Sequence, residues 1–283
     1  MTPLRLIPAA LVVLLIAVLV PGSATGAKQR GVHPGVQTYT KGGQCTANFL
    51  FRRGDTRYIG QAAHCSGKGE AMDTNGCKNK SQPLGTKVKV GNATRKGEIA
   101  YSSWIAMRRA GEPKSSVQCK FNDFALVELG GPAARKAVPT VPYFGGPTGL
   151  APSSSSKQAG DPVYSYGHSS LRPDGEKTLR RKSGVVTSTS GKGWSRTVRT
   201  DSPGVPGDSG SPFLDGDGRA LGTLSTVALF PDTASNGVAD LHKEVEYARK
   251  HGMPGLELIE GRKPFDDRGM ELPGLPFTAP GAP

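Results

Sequence analysis

The chain of 283 residues is poor in cysteine, with four, and in aromatics, at 6% of residues with two tryptophans. It is also short of acid, with 23 Asp and Glu against 36 Lys and Arg. No Cys-x-x-Cys or His-x-x-x-His lies near His64, so the ligand spacings of a zinc site are missing. The turn Asp215-Gly216-Asp217-Gly218 lacks the longer liganding loop and distal Glu of a calcium hand. No internal repeat stands out. The formal charge of +13 is scattered, with Arg180-Arg181-Lys182 its densest cluster, and aromatics are poorly interleaved with it. That pattern argues against a nucleic-acid surface. No metal, no cofactor and no nucleic-acid partner is expected.

Long apolar runs are confined to the amino end. A basic start at Arg5, an apolar stretch from Leu6 to Val20 and the small-residue exit Pro21 to Ala27 read as a secretory signal over residues 1–27, cut between Ala24 and Lys28. An uncleaved anchor is the alternative, since the run is near the short limit for a bilayer span. Cleavage predicts a secreted, extracellular monomer that meets a membrane only transiently, through that signal. Four cysteines in an exported chain imply two disulfides, and their number leaves three connectivities open.

The remainder is rich in Gly and Pro, with 39 and 23 residues. Short apolar runs at Lys87–Val90, Ile99–Tyr101, Val163–Tyr166, Val185–Thr187 and Thr197–Arg199 read as strands of an all-β domain. One helix is predicted, with Asp240 as N-cap, Leu241, Val245 and Ala248 on one face, and Gly252 as stop. His242 and His251 on that helix and His33 in a Pro-flanked loop read as surface groups. His168, after a predicted strand, could line a cleft.

Three segments carry chemistry. Pro206-Gly207-Asp208-Ser209-Gly210-Ser211-Pro212 presents one serine between glycines, where the N–H groups of Gly207 and Ser209 can converge on one point. Gln61-Ala62-Ala63-His64-Cys65 ends a strand at a histidine; the preceding run Cys45 to Phe51 reads as a partner strand, joined through the turn Arg52 to Asp55. Asn122-Asp123-Phe124-Ala125-Leu126-Val127 opens an apolar strand with an aspartate, costly to bury unless hydrogen-bonded, and a histidine ring N–H is a suitable partner. Taken singly, each has a bland reading: a Gly/Ser turn, a structural histidine, a solvated turn aspartate.

Together, in the order His64, Asp123, Ser209, they resemble the chymotrypsin-like (trypsin-fold) serine proteases, and most closely their secreted bacterial, actinobacterial-type branch. The resemblance spans about residues 36–252. It implies two six-stranded antiparallel β-barrels and a carboxy-terminal helix, with His64 as general base, Asp123 as its orienting acid, Ser209 as nucleophile, and the N–H groups of Gly207 and Ser209 as oxyanion hole. It implies the Cys45–Cys65 disulfide, which leaves Cys77 with Cys119. A serine matching Ser225 supports the aspartate in that family, and the following strand pairs with substrate. Two departures stand out: Ser211 replaces a glycine, and no Ile-Val-Gly-Gly start is found to pair with Asp208. An internal arginine does this in some bacterial relatives, but none is identified from the sequence.

The implied domain runs over residues 28–261, with barrels at roughly 36–150 and 151–240 and the helix at 240–251. Ala151 to Gln158 reads as a flexible loop between the halves, and 262–283 as a Pro-rich tail outside the core. The substrate pocket falls near Pro203, Ser225, Thr226, Val227 and Gly237. Pro203 offers no acid at its base, Val227 narrows its mouth, and Gly237 leaves the inner wall open. This predicts cleavage after Ala, Val or Leu rather than Arg or Lys, unless Asp201 reaches the pocket. The expected activity is peptide-bond hydrolysis on peptide or protein substrates. The alternative is a catalytically silent trypsin-fold protein that binds anionic polymer or protein partners through its positive charge.

Overall fold

The computed structural model describes residues 31–41, 43–68, 74–153, 159–172, 177–228 and 235–270. The predicted signal over 1–27, residues 154–158 of the predicted inter-barrel loop and residues 271–283 of the tail lie outside the described residues.

Two antiparallel sheets follow from two-residue alternation. In the first half run β1 (Gln37–Thr40), β2 (Gly43–Thr46), β3 (Leu50–Arg53), β4 (Thr56–Ala62), the short pair β5 (Gly67–Lys68) and β6 (Lys80–Ser81), β7 (Lys87–Val90), β8 (Gly97–Ser102) and β9 (Phe124–Glu128). Strand β7, Lys-Val-Lys-Val, shows the principle: its lysines are exposed and its valines buried. In the second half run β10 (Pro162–Tyr166), β11 (Arg181–Ser190), β12 (Ser195–Thr200), β13 (Pro212–Asp215), β14 (Ala220–Ala228) and β15 (Ser235–Asp240). These six close into a barrel in the order β10-β11-β12-β15-β14-β13, which leaves no free edge.

The mostly β architecture in two halves, one of them a closed six-stranded barrel, is the one expected, and the strands of the first half, the short pair β5 and β6 apart, also join into one antiparallel sheet. There the sheet counts eight strands, β16-β3-β4-β9-β8-β7-β1-β2, where β16 is Glu257–Leu258. The run Cys45 to Phe51 does not stay one strand, because Asn48 turns its side-chain oxygen onto the adjacent Phe49 N–H at 2.7 Å and separates β2 from β3. The eighth strand comes from beyond the carboxy-terminal helix and pairs with β3 through Glu257–Arg52 and Leu258–Phe51.

Helices are short. Besides the predicted one, α1 (Ser103–Arg109), α2 (Val117–Phe121) and α3 (Gly131–Lys136) form in loops of the first half. In α1 the buried residues are Ser103, Trp104, Ala106 and Met107, with the large pair Trp104 and Met107 three apart on one face. Ser116 caps α2 by accepting the Cys119 N–H at 3.2 Å, and α2 delivers the chain to Asn122 and Asp123. The carboxy-terminal helix α4 (Leu241–Lys250) is capped as predicted by Asp240, whose side chain accepts from Lys243 N at 2.8 Å. Asp240 also pairs at 2.7 Å with Arg196, whose side chain is fully buried inside the second barrel.

Among the described residues the larger apolar clusters are three. Val36, Leu50, Ile59, Val88, Ile99 and Val127 fill the first sheet, and Val163, Val186, Val198, Phe213, Leu224 and Val238 fill the second barrel. A larger cluster, including Phe51, Trp104, Phe124, Leu214, Leu241 and Val245, takes members from both halves and from α4. The start of the tail joins it: Phe265 packs edge-on against Tyr164 at 5.3 Å, and Asp266 N donates to Phe144 O at 2.8 Å. Residues up to Phe265 thus contribute to the core that the tail was expected to leave.

Both disulfides form, Cys45–Cys65 and Cys77–Cys119, with Cα separations of 6.0 and 5.3 Å and no free cysteine. They close 20 and 42 residues, which by loop-closure entropy is about 3 to 4 kcal/mol each.

Candidate active site

Strand β4 ends in a single 3-10 turn, Ala63–Ser66, which carries His64. The disulfide ties that turn to β2. Asp123 stands at the head of β9, and β4 pairs with β9 so that Ala62 lies opposite Phe124. The register sets the two side chains face to face. His64 Nδ1 lies 2.7 Å from Asp123 Oδ2, and His64 N donates to Asp123 Oδ1 at 2.9 Å. Ser225 Oγ, at the register shift of β14, donates to Oδ2 at 2.6 Å. The fully buried aspartate therefore accepts three hydrogen bonds, which meets its desolvation cost.

The imidazole is nearly buried, and burial by itself would lower its pKa; the charge of Asp123 and the hydrogen bond to it more than reverse this, so His64 titrates above its ordinary value. With a folded pKa above the unfolded one, the stability contributed by this pair is fully present below about pH 6.5 and is lost as pH rises through the folded value. Asp123→Asn removes both raising causes and leaves desolvation. Its His64 midpoint, followed through imidazole NMR shifts, should fall below that of the native protein; an unchanged midpoint would contradict this electrostatic account.

Ser209 sits in the loop between β12 and β13. Its carbonyl accepts Thr46 N at 2.8 Å, and the Cys65 sulfur lies 4.0 Å from the same oxygen, so the loop is fixed against the elements that carry His64. Among the described residues the Ser209 hydroxyl makes no hydrogen bond to His64; such contacts commonly tighten only when substrate is bound. Gly207 has φ +95° and a carbonyl held by Thr46 Oγ1 at 2.8 Å and Gln44 Nε2 at 3.0 Å; a Cβ there would overlap Gln44. Only glycine fits. The N–H groups of Gly207 and Ser209 have no acceptor among the described residues. Ser211, the departure from the glycine pattern, is fully buried and donates its hydroxyl to Asp208 O at 2.5 Å, which braces the turn.

Asp208 has the partners that the sequence left unidentified. Arg172 reaches its Oδ2 through Nη2 at 2.9 Å and Nε at 3.3 Å, Lys182 Nζ lies 3.3 Å away, and Val205 N and Ser169 N donate as well. Lys182 is fully buried, so the Arg180-Arg181-Lys182 cluster is not an exposed basic patch throughout. Burial, partly offset by Asp208, holds its pKa below the ordinary lysine value. No sequence signal marked Arg172, which approaches from a loop 36 residues earlier.

Of the expected pocket residues, Pro203 offers its carbonyl to Arg172 Nη2 at 2.6 Å, and Ser225 turns its hydroxyl to Asp123. Thr226 pairs with Gly237, and a Cβ at Gly237 would overlap Thr226 Oγ1, so the space expected at that wall is taken. Val227 pairs with Asn236. Sequence reading missed Asn236, fully buried, whose Oδ1 accepts Gly204 N at 2.8 Å. Asp201 accepts from Ser183 N, Ser202 N and Ser183 Oγ, and so ties the segment that leaves β12 to the start of β11. His168 lies beside the Gly207 loop through main-chain bonds to Thr46, Gln37 and Gln44. His242 is half-buried against Ala151 O, and His251 is exposed and stacked on Tyr247. Cys45, His64 and Cys65 cluster within 4.8 Å, but the bridged sulfurs offer no thiolate to a metal.

Comparison with known structures finds the same fold. Thermobifida fusca protease A matches at a TM-score of 0.50 and 19% identity, over 82% of this chain and 100% of that one. A glutamic-acid-specific serine protease matches at 0.49 and 20%, over 81% and 100%, and Cellulomonas bogoriensis chymotrypsin at 0.48 and 18%, over 81% and 99%. No curated protein matches the sequence. The model of the trypsin-like peptidase domain matches residues 52–222, from the β3–β4 hairpin through the Ser209 loop into β14. With more than half its length under that model, and a mostly β architecture that includes a closed six-stranded barrel, this chain belongs to the trypsin-like peptidase domain family.

Proposed function

We propose that the protein is a secreted serine endopeptidase that cleaves peptide bonds through an acyl-enzyme. The observation that carries this reading is the buried Asp123 carboxylate holding His64 Nδ1 at 2.7 Å. That bond selects the tautomer whose Nε2 is free to take the proton of Ser209 as it attacks the scissile carbonyl. The N–H groups of Gly207 and Ser209 receive the oxyanion, and the imidazolium then protonates the leaving amine. Water repeats the cycle on the ester. Two disulfides support export, with residues 1–27 as the removed signal, a peptidase unit from 28 that takes in the start of the tail through Asp266, and a monomer as the working form.

Strand β14 from Ser225 to Val227 is the proposed partner of the substrate backbone. Asp201 is occupied by Ser183 and Ser202, so among the described residues the proposed pocket has no identified acid to hold Arg or Lys. Cleavage after Ala, Val or Leu follows. A phosphonylating serine probe should label Ser209 in peptide maps, and library profiling should rank those three residues above Arg and Lys. A protein that ignores the probe yet is retained on acidic polymers in a salt-sensitive way would instead support the silent binding module.

A further inference from the structure

At the main chain of Asp123 stands a second buried carboxyl. Glu244 lies on α4, fully buried, within the face that sequence periodicity assigned to Leu241, Val245 and Ala248. Its Oε1 accepts the Asp123 main-chain N–H at 3.0 Å, and its Oε2 meets Thr223 Oγ1 at 3.2 Å. Thr223 is in turn reached by Asn48 Nδ2 at 3.2 Å. A glutamate has no structural need to be inside a small apolar helix contact, and burying it is costly unless both oxygens are matched. Here both are matched, and one partner is the peptide of the residue that orients His64.

We propose that Glu244 is a positioning residue for the His64–Asp123 pair, clamping the Asp123 main chain to the carboxy-terminal helix so that the carboxylate is aimed at the imidazole. This deepens the peptidase reading and rests on it. The aspartate then has each end fixed: its main-chain N–H by Glu244, its carboxylate by His64 and Ser225. Helix α4 is thereby coupled to the site although none of its side chains reaches the cleft chemistry.

The surroundings of this carboxyl disfavour its charged form. The charged and titratable groups that face it are Asp123 from the head of β9, Asp240 at its own helix start, and Tyr101 from β8. The charge of Asp240 is met by Arg196. Desolvation comes first and the two aspartates add to it, raising the Glu244 pKa well above the ordinary value. A protonated Oε2 can donate to Thr223 Oγ1 while Oε1 accepts from Asp123 N. The amide of glutamine reproduces both bonds. Folding takes up a proton at this site, so the native protein loses stability relative to Glu244→Gln as pH rises above about 4.3, up to the folded pKa.

The test compares Glu244→Gln, Glu244→Leu and wild type by the downfield Nδ1 proton and pH titration of His64, and by kcat and KM on a peptide substrate. The glutamine variant should keep the proton resonance, the His64 midpoint and kcat within about twofold. The leucine variant, which leaves the Asp123 N–H without an acceptor, should broaden or lose the resonance and lower kcat at least tenfold with little change in KM. A glutamine variant that loses the resonance although its amide oxygen can still accept the Asp123 N–H, or a folded leucine variant with unchanged resonance and kcat, overturns the proposal. Should the leucine variant fail to fold, the smaller Glu244→Ala, which likewise takes the acceptor from the Asp123 N–H, takes its place with the same expectations. The NMR readouts stand without turnover, so an inert wild type with an intact Glu244-dependent resonance would condemn the peptidase reading and leave the clamp demonstrated.

Discussion

Ser209→Ala should lower kcat for peptide hydrolysis by about 10⁴- to 10⁶-fold while leaving the fold intact, because the hydroxyl is the only group proposed to form the acyl bond. His64→Ala should cost about as much, and Asp123→Asn about 10⁴-fold, since the asparagine amide offers the imidazole the wrong tautomer. The losses should not add. A double variant lacking Ser209 and His64 should be no slower than either single one, since the groups act as a unit and what survives comes from the oxyanion donors and binding. Proteins purified free of host proteases and compared in one assay decide it: a Ser209→Ala protein that turns over at the native rate is incompatible with the assignment.

Arg172→Ala should be the most damaging change outside the proposed triad. Asp208 is fully buried, and two of its bonds come from the Arg172 guanidinium. Removing that partner leaves a buried carboxylate facing Lys182 as its one cation among the described residues, and breaking a buried pair costs about 3 to 5 kcal/mol. Asp208 lies between the two residues that donate the proposed oxyanion bonds, so kcat should fall together with stability. Arg172→Lys should recover only part of either, because an ammonium cannot span Asp208 Oδ2, Ser202 Oγ and the Pro203 carbonyl as the fork does. Denaturant unfolding and kcat, measured on both variants, check this; native values for the alanine protein would show that Asp208 needs no guanidinium.

The contrast between Asp208 and Asp123 explains what could be read in advance. Asp123 was legible because local pattern surrounded it: an acid at the head of an apolar strand, in fixed order with an Ala-Ala-His-Cys segment and a Gly-Asp-Ser-Gly loop. Asp208 was legible as an acid that needs a partner, but the partner was not, because a loop arginine carries no periodicity. The same holds for Glu244. Its spacing on α4 from Leu241 and Val245 is what any helix face shows, and only the packing of α4 against β9 and β14 turns that position inward. Asn236 was missed in the same way, as an ordinary strand residue until Gly204 N is seen to close on it.

Strands with two-residue alternation, the cap at Asp240, the tight turns that demand glycine and the chemical types of the three candidate site residues are local properties, and local sterics and hydrogen bonding determine them from sequence alone. Which strands close on each other, that the first sheet takes an eighth strand from beyond α4, that Phe265 returns to the core and that Arg172 and Lys182 converge on Asp208 depend on contacts between segments far apart in the chain. Those choices are made by burial of shared apolar surface and by the need of buried charges for partners, two requirements that any of several distant residues could meet until the whole chain is packed.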